Sequence, residues 1–203
     1  MAGMTESPQD VLRFWLGAHP IDAAAMQRVQ GQWFRKDEAF DAELRRRFGA
    51  TIEAALAGGL GDWADAAEGR LALLLVLDQF TRNAFRGQSR SFAGDARAVA
   101  LALEGIARGH DAQVPPMARI FCYLPLEHAE DAAMQARSVA LFGALAADPA
   151  ARPAEFFAHT LDYARQHRDV IARFGRFPHR NAILGRASTP DEAAYLAQPG
   201  AGF

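Results

Sequence analysis

Apolar residues recur at three- and four-residue spacing along almost the whole chain, and no stretch alternates apolar and polar residues with period two. The first pattern fills one face of an α-helix, whereas a half-buried strand needs the second, so the expected fold is all-α. Alanine is abundant and β-branched residues are few, which favours helix further. Half of the 203 residues are hydrophobic and 23% are charged, the balance of a chain that buries a core rather than one that stays disordered. A length of 203 residues fits a single domain, expected here over residues 1–203.

Punctuation divides the pattern into eight to ten helices. Ser7-Pro8 reads as a cap followed by a first-turn proline, and the helix it opens ends at Gly17. A segment from about Asp22 to Phe34 follows, and Asp37 opens a helix carrying Phe40, Leu44, Phe48, Ile52 and Leu56 as far as Gly58-Gly59. An apolar segment begins at Arg70, and a further helix runs from about Asp95 to Arg108, with Gly109 as its cap. Pro115-Pro116 starts a short helix that Pro125 is expected to interrupt. Helices from about Ala129 to Leu145 and on to Phe174 come next, and Thr189-Pro190-Asp191-Glu192 marks a last short one. No roughly 34-residue repeat is visible.

Charge and cysteine content narrow the setting. Twenty-two basic and 24 acidic residues leave a net charge of −2, which excludes a generally basic nucleic-acid binder. The single Cys122, between Phe121 and Tyr123, reads as a buried, inert thiol and favours a reducing compartment. Met1 to Asp10 lacks the basic-then-apolar pattern of a secretory leader, and the longest apolar run, Leu71 to Leu77, falls far short of the roughly 20 residues of a membrane span. A soluble cytoplasmic protein without membrane contact is expected.

Four places break the apolar faces with polar residues. The first is Asp78-Gln79-Phe80-Thr81-Arg82-Asn83 with Arg86, where Asp78 and Arg82 stand four apart and can pair, either as a structural ion pair or facing a ligand. The second is His167, which falls on a stripe with Phe156, Thr160, Tyr163, Val170 and Phe174 and so points inward. The third is the loop holding Arg176, His179, Arg180 and Asn181. From Arg165 to Arg186 six arginines face one acid, Asp169, a local charge of +5 that suits a phosphate or carboxylate unless acids elsewhere pair with it. The fourth is Glu127-His128-Ala129-Glu130-Asp131 at a helix start, where the acids serve the helix dipole. Without a second histidine at helical spacing, no metal is expected there. No phosphate-binding glycine loop, nucleophile elbow, paired-cysteine site or dinucleotide fingerprint is present, so no cofactor is expected either.

Leu77-Asp78-Gln79-Phe80 with Arg82-Asn83 and Arg86-Gly87, then Phe121-x-Tyr123-x-Pro125-Leu126-Glu127-His128, then Phe174-Gly175-Arg176-Phe177-Pro178-His179-Arg180-Asn181 with Leu184-Gly185-Arg186, resemble the motifs of the bacterial family catalogued as domain of unknown function 924. The resemblance spans nearly the whole chain. It implies a tetratricopeptide-like array of antiparallel helix pairs wound as a right-handed superhelix, and it implies no activity. The family pattern has a serine after the histidine that corresponds to His128 and a proline before the arginine that corresponds to Arg82. This chain has Ala129 and Thr81 there, so its function does not need a hydroxyl at 129.

The residues expected to bind a ligand are Asp78, Gln79, Arg82, Asn83, Arg86, His128, His167, Arg176, His179, Arg180 and Asn181, with Asp78, Arg82, Arg86, His128, His167, His179 and Arg180 converging on one concave surface. The function expected is a binding module for an anionic small molecule or acidic peptide. An alternative is a hydrolase or transferase acting on an anionic substrate, in which His128 or His179 moves the proton, Glu127 or Asp78 orients it and arginines stabilise charge in the transition state. A further one is a protein scaffold in which these polar groups only fix helix packing.

Overall fold

In the computed structural model, residues 4–202 are described; of the reading of the chain start, Met1–Gly3 lie outside them. Helices account for all the regular structure among the described residues: α1 Pro8–Leu16, α2 Ala23–Trp33, α3 Glu38–Leu56, α4 Ala67–Leu74, α5 Thr81–Ala84, α6 Asp95–Ala107, α7 Pro116–Glu127, α8 Ala132–Ala147, α9 Ala154–Phe174 and α10 Pro190–Leu196. None of these helices is long and apolar enough to cross a membrane.

The caps of α1, α3 and α10 are where the punctuation puts them. Ser7 and Asp10 form a reciprocal capping box on α1, Gly17 ends it in the left-handed conformation, and Thr189 with Glu192 repeats the box on α10. Asp22, Asp37 and Asp131 accept N–H bonds at the starts of α2, α3 and α8. One expectation fails in detail. Pro125 does not interrupt α7, which runs two residues past it. Only the last turn is affected, because proline removes one N–H at a helix end that has few bonds left to lose.

The chain divides into two compact units, residues 4–86 with 90–125, and residues 87–89 with 126–202. In the first, α1, α3 and the α4–α5 segment meet around aromatic rings: Phe14 on Phe48 at 4.9 Å, Phe48 on Phe80 at 4.9 Å and Trp15 on Phe80 at 5.6 Å. Leu71 to Leu77 are all buried there, as is the Cys122 thiol, whose pKa burial pushes up to about 12. In the second, α8 packs along α9, and Val170, Ile171 and Phe177 form a cluster that Phe174 and Tyr195 cover.

A feature the periodicity did not reveal lies between α4 and α5, where Leu75–Phe80 winds as a π-helix. Such a stretch breaks the regular bonding of the turn and leaves carbonyls to be satisfied by side chains. The polar residues that follow do this: the Thr81 hydroxyl donates to the Leu77 carbonyl at 2.8 Å, Arg82 to the Asp78 carbonyl at 2.8 Å and Asn83 to the Gln79 carbonyl at 3.0 Å.

Candidate functional site

The expected site residues fall in both units: Asp78, Gln79, Arg82, Asn83 and Arg86 in the first, Glu127, His128, His167, Arg176, His179, Arg180 and Asn181 in the second.

In the first unit the charges are engaged with neighbouring helices. Arg82 pairs with Asp78, as the four-residue spacing implies, at 3.0 Å, and makes a two-pronged bond to Asp95 at the start of α6, at 2.8 and 3.0 Å. Arg86 makes the same kind of bond to Asp41 of α3, at 2.7 and 3.1 Å, and reaches Asn83. Asp78 is 2% exposed. These bonds tie α3, α5 and α6 together around the π-helical stretch.

In the second unit, the loop after α9 is organised by carboxylates. Glu130 accepts both prongs of Arg186, at 2.6 and 2.9 Å, and the Phe177 N–H at 2.8 Å. Burial pushes its carboxyl up, but these donors outweigh burial and hold it below the ordinary range. Arg186 also donates to Asn181 and to the Phe177 carbonyl. Arg176 forks onto Glu192 at 2.6 and 2.8 Å, while Arg165 and Arg168 pair with Asp162 and Asp169. Of the segment's arginines, Arg165, Arg176 and Arg186 thus pair with acids outside its own numbering, Asp162, Glu192 and Glu130, and Arg168 with Asp169 inside it.

Glu192 is held down to about 2, first by Arg176 and then by the Thr189 N–H. Its pKa lies below the ordinary 4.5, so its stabilising contribution is complete above about pH 4.5 and disappears as pH falls toward 2. Melting temperatures of wild type and Glu192→Gln are expected to differ above pH 4.5 and to converge toward pH 2. A gap that stays constant with pH would contradict this.

The remaining polar residues gather around Phe177. His167 on α9 is 5% exposed, its ring 5.5 Å from that of Phe177 and 6.1 Å from that of His128. His179 lies 5.6 Å from Phe177, and the Arg180 guanidinium sits over the same ring at 4.6 Å while donating to the His128 carbonyl at 3.0 Å. Gln135 of α8 holds the far side of this backbone by donating to the carbonyls of Glu127 at 2.6 Å and Ala129 at 2.8 Å.

The inward direction of His167 agrees with the sequence; the stripe drawn around it does not. Phe157, Ala164, His167, Val170 and Ile171 are the buried residues of α9, and Tyr163 is 41% exposed. Both sets have helical spacing, and the large aromatic residues drew the stripe away from the small Ala164, which packing actually uses. Nδ1 of His167 lies 2.9 Å from the Tyr163 carbonyl and 3.3 Å from Glu127 Oε1. A carbonyl only accepts, so Nδ1 carries the proton and Nε2 the lone pair. Burial, then the nearby His128, lowers the His167 pKa to about 3, and burial with Arg180 lowers that of His179 to about 4, so both rings are neutral at pH 7. His167, which the sequence did not name for acid–base work, is thus in reach of the Glu127 carboxylate.

One nitrogen each from His128 and His167 and one oxygen from Glu127 lie within 4.8 Å of one another. Helical spacing carries no signal of this grouping, because His167 comes from α9 and the other two from the end of α7 and the residue after it.

The family described as "Bacterial protein of unknown function (DUF924)" matches residues 11–200. A solved protein of unknown function from Agrobacterium tumefaciens, ATU0120, is similar at 42% identity and a TM-score of 0.79, over 94% of this chain and 96% of that one. No curated protein matches the chain.

Proposed function

Because this chain belongs to the DUF924 family, bacterial proteins of unknown function, its role has to be argued from its own geometry, and we propose that the second unit is a binding module for a compact anion, a phosphate or carboxylate carried by a small molecule or an acidic peptide. The residues that receive it are Arg180 and His179, next to His128. The supporting observation is the way Arg180 is held: its guanidinium lies over the Phe177 ring, one NH2 donates to the His128 carbonyl, and only 6% of the residue is exposed. A guanidinium fixed in this way loses little freedom when an anion binds, and its burial strengthens each bond. Arg176 and Arg186 pair with Glu192 and Glu130 and shape the loop.

The test is titration of the purified protein with inorganic phosphate, citrate and an acidic peptide at low and high salt. Saturable binding of at least one of them is expected, weakened about 10- to 100-fold in Arg180→Gln, the loss of one charge-assisted bond. Equal affinity in wild type and in a folded Arg180→Gln variant would overturn this reading.

A further inference from the structure

We propose that Glu127, His128 and His167 form a binding site for one divalent transition-metal ion. This goes beyond anion binding and stands on different side chains. The donor set is two imidazoles and one carboxylate, with Glu127 3% and His167 5% exposed, and all three donor atoms lie within 4.8 Å. Two nitrogen donors select zinc-like ions over magnesium or calcium, which prefer oxygen alone. Three protein donors leave at least one position open.

The surroundings fix these donors as a metal site requires. His167 donates its Nδ1–H to the Tyr163 carbonyl at 2.9 Å, the kind of outer bond that orients metal-binding imidazoles. Phe177 packs against the ring at 5.5 Å and limits its rotation. Gln135 secures the backbone at Glu127 and Ala129, on either side of His128. Arg180, on the His128 carbonyl, adds positive charge, so an anion rather than a water is the expected occupant of the open position. That last step rests on the anion reading, and the metal site itself does not.

The experiment uses the chelator-treated full chain. Zn(II) titrated by calorimetry is expected to bind at one ion per chain, and Co(II) to give the visible absorption of a four- or five-coordinate centre. His128→Ala is expected to weaken Zn(II) by more than the roughly 10- to 100-fold typical of a lost outer partner. His159→Ala, which removes an exposed histidine of α9, is expected to leave binding unchanged. Glu127→Gln and His167→Asn remove buried groups, so they are read only where circular dichroism shows a folded chain. Absent or non-saturating Zn(II) binding, a Co(II) spectrum of the free aqua ion, or binding that survives His128→Ala but not His159→Ala would each overturn the site. Mg(II) binding as tightly as Zn(II) would overturn the class of metal. Arg180→Gln separates the two readings: losing anion binding while keeping Zn(II) supports both, and losing Zn(II) as well would contradict the independence of the metal site.

Discussion

Gly94→Ala is expected to lower stability by about 3 kcal/mol or more, at the top of the range for overpacking, and the melting temperature by roughly 6–12 °C. A Cβ at Gly94 would lie 2.1 Å from the Leu77 carbonyl oxygen, a backbone atom that cannot turn aside. That contact is where the start of α6 rests on the π-helical stretch, and the next residue, Asp95, reaches Arg82 from there. The variant is therefore expected to lose the ion pair together with the packing. Gly49→Ala is the control: it adds a Cβ within α3 where no atom lies within 4 Å, and it is expected to stabilise by about 0.5–1 kcal/mol through helix propensity alone. Thermal and denaturant melts of both decide. A Gly94→Ala protein as stable as wild type would mean that α6 does not rest on Leu77 as described.

Glu130→Gln is expected to cost about 2–3 kcal/mol, because one carboxylate receives two guanidinium prongs and a backbone N–H and the amide cannot match that charge. Both side chains are a quarter exposed, so the figure is that of charge-assisted bonds rather than of a fully buried ion pair. Arg186→Lys is expected to rescue little, since lysine cannot reproduce a fork that also serves Asn181 and the Phe177 carbonyl. A double-mutant cycle over Glu130 and Arg186 measures the coupling, and a value near zero would contradict the description of the loop.

Much of the fold was legible because helix ends are written locally. Ser7, Asp37, Gly17 and Thr189 each act within one turn, and the structure uses each as the sequence implied. The π-helical stretch was not legible, since Leu71 to Leu77 is apolar on every face and gives periodicity nothing to resolve. The same limit explains α9, where two stripes satisfy the helical period and only packing distinguishes Ala164 from Tyr163.

The site shows the division more sharply. Its residue types stood out in the sequence as polar interruptions, and the pairing of Asp78 with Arg82 followed from spacing alone. The partners of Arg176 and Arg186 did not, because Glu192 and Glu130 lie on other elements and a local charge count cannot see them. The grouping of His167 with Glu127 and His128 is likewise a product of tertiary packing, which brings α9 against the end of α7 within the second unit.

The measurement that bears most directly on the second unit as a binding site is side-chain nitrogen NMR of the six histidines during a phosphate titration near pH 7. His167 is expected as a neutral ring protonated at Nδ1, and His179 and His128 are expected to shift with phosphate and to lose that response in Arg180→Gln. His19, His110 and His159, which lie elsewhere, are the internal controls. A response confined to those three, or equal shifts with and without Arg180, would contradict the account.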